Sequence, residues 1–196
     1  MSARLPLITL LWAGTALLGQ TVNDLNSLVL QADRFAAYTM DAKGERTDLN
    51  LFKIIGASGG PPGTLMHRAM DVQDWTFLYR VTHPDQTAPT HGGALQRSVT
   101  VHFAQGQFTE LKWLQAPVMD CKSLEWRWIA LSLDQAIGVL NRQGFQGGFS
   151  HLTLMRPLYA YHSDEFTYVF NCPLEKTVVG VSAVTGQVLW TDPYNP

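Results

Sequence analysis

Two stretches of this chain carry nearly the same text. Asp74, Trp75, Thr76, Phe77, Leu78, Tyr79 is echoed about ninety residues later by Glu165, Phe166, Thr167, Tyr168, Val169, Phe170. In both, aromatic side chains alternate with smaller ones, and a period of two places them on one face of a β-strand. The echo continues on either side, with a helical pattern and a strand before each copy and a hairpin after it. A repeat of this kind means one supersecondary unit made twice. The expected fold is therefore α+β, with two tandem repeats, each an α-helix packed on an antiparallel β-sheet.

In the first half, Leu25, Leu28, Val29, Ala32, Phe35 and Ala36 recur at helical spacing between Asn23 and Tyr38. A strand is expected over Leu49–Ile55, stopped by Gly56, Gly59, Gly60, Pro61 and Pro62. The aromatic strand Asp74–Thr82, a strand over Gln96–Phe103 and another over Phe108–Trp113 complete this half. The second half repeats the order. Ser132 and Gln135 form a capping box before the apolar stripe Leu133, Ala136, Ile137 and Leu140. Strands are expected at His151–Leu158, Phe166–Phe170, Thr177–Ala183 and Gln187–Trp190. The resulting organisation is a signal peptide over 1–20, a first repeat over 21–114, a connector over 115–130 and a second repeat over 131–196.

The segment Leu5–Leu18 is almost wholly apolar, follows Arg4 and precedes polar Thr21 and Asn23. It is shorter than the roughly 20 residues a membrane-spanning helix needs and reads as a removable export signal. The expected location is secreted or periplasmic, with no membrane anchor after cleavage. An oxidising compartment favours a bond between the chain's two cysteines, Cys121 and Cys172. Such a bond would stabilise the fold by about 4 kcal/mol on the chain-entropy model. Two separately buried thiols are the alternative.

A net charge of -2, with Lys and Arg scattered, gives no footprint for a phosphate backbone, so nucleic acid is not an expected partner. Charged residues make up only 15% of the chain against 11% aromatic, which points to large buried sheet faces or an aromatic binding surface.

Near the C-terminus, the run Phe166–Phe170 is followed by Val178, Val179, Gly180, Val181, Ser182, Ala183, Val184, Thr185, Gly186 and Gln187. It resembles the end of a PepSY domain, whose strand, turn and final strand close on an Asp, small residue, any residue, Thr, Gly motif. Ser182 stands where that family prefers Asp. The resemblance covers most of Ser132–Trp190 and extends faintly over Asn23–Trp113. It implies a helix on an antiparallel sheet, used in pairs, similar in layout to the β-lactamase inhibitor protein fold. It also implies a role beside secreted proteases, as propeptide or inhibitor, and brings no catalytic residues.

Three sets of residues bear on chemistry. Gly56, Ala57, Ser58, Gly59, Gly60 matches a nucleophile elbow, but Pro61 and Pro62 follow where a helix is required, so a serine hydrolase using Ser58 is a remote alternative. His83, Asp85 and His91 share one loop without a regular ligand spacing, and no metal or cofactor is expected. The aromatic strands are expected to be core. Binding is expected instead at aromatics outside them: Trp113, Trp126 and Trp128 flanking the connector, and Tyr159 and Tyr161 before the second aromatic strand. The expected function is a non-catalytic binding or inhibitory module that contacts another secreted or envelope protein, with a carrier or sensor of a small apolar ligand as the alternative.

Overall fold

The computed structural model describes residues 25–44, 48–82, 97–115, 121–158 and 164–194. The expected signal peptide over 1–20, the loop bearing His83, Asp85 and His91, and Tyr159 and Tyr161 all lie outside the described residues. Helix α1 spans Leu25–Ala42 and is followed by β1 (Asp48–Ser58), β2 (Val72–Thr82), β3 (Arg97–Ala104) and β4 (Gln107–Trp113). A two-residue strand, β5 (Cys121–Lys122), leads into α2 (Leu133–Arg142), β6 (His151–Pro157), β7 (Thr167–Cys172), β8 (Thr177–Ser182) and β9 (Val188–Pro193).

The strands do not divide into two sheets. They form one antiparallel sheet in the order β4-β3-β2-β1-β6-β7-β8-β9, with β5 pairing β6 off this path. The joint is β1 against β6, from Lys53 opposite Met155 to Ala57 opposite His151. This corrects the expectation of two tandem units, each with its own sheet. The physical reason lies at β1 and β6. Each would be an open edge of a smaller sheet, with a row of unpaired N–H and C=O groups, and pairing them removes both edges at once. The core follows the same logic, because α1, α2 and one face of the whole sheet contribute to a single apolar cluster.

Helix α1 buries Leu28, Val29, Ala32, Ala36 and Met40 against that face. Helix α2 starts where its capping box predicts. The Gln135 amide donates to Ser132 Oγ at 3.3 Å, and the Ser132 amide donates to Gln135 Oε1 at 2.8 Å. Both aromatic strands are core, with Trp75, Phe77 and Tyr79 from β2 and Phe166, Tyr168 and Phe170 from the β7 region all buried on the helix side. Each sits one strand away from the β1–β6 joint, on opposite sides of it.

The opposite face, against which no described helix packs, carries a smaller cluster of Phe52, Leu78 and Cys121, edged by Ile55, Leu114 and Met155. Phe52 reaches it through a bulge. In the β1–β2 ladder Leu51 faces Tyr79 and Lys53 faces Leu78, so Phe52 is the extra residue.

This two-faced layout also corrects the expected disulfide. Cys121 and Cys172 are buried thiols not joined to each other. Cys121 belongs to the helix-free cluster and Cys172 to the main core, with the sheet between them. They also sit at opposite ends of β6. Cys121 is opposite Pro157, whereas Cys172 follows Asn171, the partner of His151. Six strand steps are about 20 Å, far beyond the Cα separation of roughly 4.4–6.8 Å that a disulfide spans.

Candidate functional site

The β1–β6 joint opens at one end, and the connector fills the opening. Beyond Lys53 the bulge at Phe52 carries β1 away, and β5 takes the next positions along β6: Lys122 opposite Arg156, then Cys121 opposite Pro157. Two residues on, the Leu124 amide donates to the Leu51 carbonyl at 2.7 Å, so the same segment is bonded to both parted strands. Cys121 lies in the helix-free cluster and Leu124 in the main core, so the chain passes through the sheet at this seam. On the helix-free side, Arg80 Nη2 donates to the Cys121 carbonyl, and the guanidinium lies 5.0 Å from the centre of the Phe52 ring.

Outside the seam an ion-pair group fastens the same segment. Lys122 Nζ lies 2.6 Å from Asp164 Oδ2, and Arg156 Nε lies 2.8 Å from Asp164 Oδ1. Hydrogen bonds from Lys122 and Arg156 hold the Asp164 carboxyl below the usual carboxylate range. Asp164 and Glu165 are adjacent carboxylates just before β7. Both are engaged, since Glu165 Oε2 accepts the Ser182 hydroxyl at 2.7 Å.

On the helix side the connector forms one turn of 3₁₀ helix, Trp126–Trp128. Trp126 packs partly buried against the main core, while Trp128 is 63% exposed. The Trp128 ring Nε1–H donates to Glu125 Oε2 at 2.7 Å. The Arg127 guanidinium stands 5.8 Å from the centre of the Trp126 ring. Ala130 and Leu131 then donate their amides to the Ala183 carbonyl, anchoring the segment to the second half of the sheet.

Beside this turn lies a cleft of about 300 Å³, walled by Asp33 of α1, Leu49–Leu51 of β1 and Ser123–Arg127 of the connector. Asp33 is its least expected member. Burial, only partly offset by the hydrogen bond that Tyr79 Oη–H donates to Asp33 Oδ1 at 2.8 Å, raises its carboxyl above the usual range. Burial and the neighbouring Asp33 charge in turn push the Tyr79 phenol upward.

Of the five aromatics expected at a binding surface, Trp126 and Trp128 are brought together at the seam. Trp113 is elsewhere: it stands half-buried opposite Val99 on β4, separated from β1 by β3 and β2, with Arg97 5.7 Å from the ring centre. Tyr159 and Tyr161 are outside the described residues.

Ser58 ends β1 opposite Val72 and borders a separate open cavity of about 430 Å³ with Gly59, Gly60, Thr64, Met66, Asp71 and Gln73. A turn follows it, so the elbow geometry its motif would need is not formed. Asp71 is occupied in closing the next turn, accepting the His67 and Arg68 amides at 2.9 and 3.0 Å. Among the described residues no group of three His, Cys, Asp or Glu side chains is placed to hold a metal ion, and no helix is long and apolar enough to cross a membrane.

No protein-family model and no curated protein matches the chain. Among solved structures, it is similar to a protein from Clostridium difficile 630 described as "a putative lipoprotein", at 14% identity and a TM-score of 0.44, over 82% of this chain and 90% of that one. A likeness at this level carries no inference about the site.

Proposed function

We propose that this is an exported, non-catalytic binding protein of PepSY-like type, which contacts another secreted or envelope protein through the seam surface around Trp126 and Trp128. The observation that carries this reading is the pair itself. One tryptophan packs partly buried against the core, and the other is 63% exposed with its ring N–H donated to Glu125. A large exposed aromatic with few rotatable bonds loses little conformational entropy on docking, which is what interface anchors exploit.

The PepSY-like part of the reading is supported at the C-terminal turn. Ser182, which replaces the family's preferred Asp, accepts the Val184 amide at 3.2 Å and the Thr185 amide at 3.0 Å through Oγ. A carboxylate there would cap the same two amides, so the departure from the motif preserves its mechanism. Gly186 follows with φ 74°, the left-handed conformation the motif's glycine supplies.

The seam cleft is less suited to a carrier of a small apolar ligand. Asp33, Glu125 and Arg127 stand on its walls, whereas such a site is lined mainly by apolar groups. The test is Trp128→Ala. Its exposed position predicts a change in stability within about 0.5 kcal/mol, whereas loss of an interface anchor costs about 2 kcal/mol or more of binding. Capture from an envelope extract should recover a partner with the wild type and lose it with Trp128→Ala at an unchanged melting temperature. Recovery of the same proteins by both would sink the reading.

A further inference from the structure

The two outer strands of the sheet finish differently. At one edge, β9 ends in Asp192 and Pro193, a charge and a residue with no amide to offer, which is how a sheet edge is closed to further strands. At the other, β4 contains no proline, and no described residue pairs with its outer side. Its one irregularity is Thr109, the extra residue in the ladder between Phe108 opposite Phe103 and Glu110 opposite His102. Past that bulge, Glu110, Leu111, Lys112 and Trp113 run in regular register, with Glu110 and Lys112 exposed on the helix-free side and Leu111 half-buried on the helix side.

The chemistry of this run favours one partner. In an antiparallel pair, only residues whose amides point outward can bond, and these alternate along the strand. Two identical strands related by a two-fold axis must therefore meet with some residue opposite its own copy. Centring on Glu110 sets glutamate against glutamate, and centring on Lys112 sets lysine against lysine. Centring on Thr109 gives neither charge a partner and falls on the bulge. Centring on Leu111 puts Glu110 opposite Lys112 twice and Leu111 against Leu111. Isolated charges on an edge repel other strands, but opposite charges two residues apart are complementary in this one register.

We propose that β4 is a self-association strand, on which a second copy of this chain pairs antiparallel about Leu111 and extends the sheet across both molecules. Next to this edge, Phe35 of α1 stacks on Phe108 with ring centroids 5.3 Å apart, and Tyr38, one turn further along, is 76% exposed. The strand pairing thus has an aromatic flank on the helix side. Because β3 and β2 separate β4 from β1, the seam surface stays uncovered, and a dimer presents two copies of it. A short strand contact with a polar rim belongs to the small, weak class of interfaces, so association is concentration-dependent.

Sedimentation equilibrium on the purified protein, from micromolar to millimolar concentration, tests this with Glu110→Lys, Lys112→Glu and the double reversal. The wild type should dimerise. Either single reversal turns both symmetric pairs into like-charge pairs and should weaken the dimer on the order of tenfold or more. The double reversal should restore it. Mixing the two single variants, one carrying only cations on this run and the other only anions, should give a heterodimer stronger than either homodimer. Both positions are exposed, so unchanged circular dichroism and melting temperature show that the variants fold. A wild type that stays monomeric throughout would overturn the proposal. So would association that the single reversals leave intact, or a double reversal that does not recover it.

Discussion

Strands β2 and β7 carry the echoed text and occupy mirrored places beside the β1–β6 joint, yet their tyrosines are used differently. On β2, Tyr79 donates its hydroxyl to the half-buried carboxylate of Asp33, at the wall of the seam cleft. On β7, Tyr168 donates to the Leu131 carbonyl at 2.9 Å, a neutral backbone group at the end of the connector. What is common to the two strands builds the core. What differs between them, a charge on one side and a tether on the other, converges on the connector.

The aromatic core holds both strands in one cluster. Phe77 and Phe170 are both fully buried in the same cluster, on opposite sides of the joint. Truncating either to Ala should cost about 3–5 kcal/mol. Because the core is shared, each should lower the midpoint of one common unfolding transition. Thermal melts monitored by far-ultraviolet circular dichroism and tryptophan fluorescence check this. Two transitions, each sensitive to only one substitution, would mean that the halves fold as separate units despite the joined sheet.

A smaller effect sharpens the contrast between the two faces. Gly56 lies across from Trp75 on the helix side, and Gly180 lies across from Trp190 on the other. A Cβ at Gly180 would stand 2.2 Å from Trp190 Cε2, so the indole lies directly on the bare backbone. Gly180→Ala should destabilise by about 1–3 kcal/mol through overpacking. It should shift Trp190 fluorescence while leaving the buried helix-side core intact. A denaturant titration of Gly180→Ala read by both probes separates this outcome from general loosening.

The individual elements were legible because each announces itself locally. The capping box at Ser132, the alternation in both aromatic strands and the α1 stripe all rest on neighbours a few residues apart. The joined sheet was not, since β1 and β6 have no turn between them and pair across nearly half the chain. A signal was nonetheless present. Leu51, Phe52, Ile54 and Ile55, like Leu152, Leu154 and Met155, are apolar at both parities, as strands flanked on both sides and covered on both faces tend to be. The site was half legible. Nothing local distinguishes Trp126 from Trp128, because which of them turns inward depends on how a single 3₁₀ turn sits on the core. The pairing of Asp33 with Tyr79, 46 residues apart, leaves no trace in spacing. The cysteines carry no such signal, because an oxidising compartment says nothing of how near two thiols lie in the fold. In the fold, reductant should leave the melting temperature of the wild type unchanged. Burial and the nearby Glu175 carboxylate push the Cys172 thiol up to about 12, so native-state alkylation there should be slow.

The smallest expected effect isolates the charge that distinguishes β2 from β7. The folded-state carboxyl of Asp33 is raised, so the folded protein holds this proton more tightly than the unfolded chain. Its contribution therefore favours folding at low pH and is lost as pH rises above the unfolded value of 3.8. Asp164, with a lowered carboxyl, works in the opposite sense and favours the folded state as pH rises through the same range. Asp33→Asn keeps an acceptor for the Tyr79 hydroxyl while removing the charge that burial penalises. At neutral pH it should leave stability within about 1 kcal/mol of the wild type, on the favourable side. Between the unfolded value and neutrality, the variant's stability should rise more steeply with pH than the wild type's, because the opposing term has gone. Urea melts at stepped pH give both curves. Parallel curves would show that Asp33 titrates as an ordinary exposed carboxylate, and that the seam cleft carries no buried charge to set β2 apart from β7.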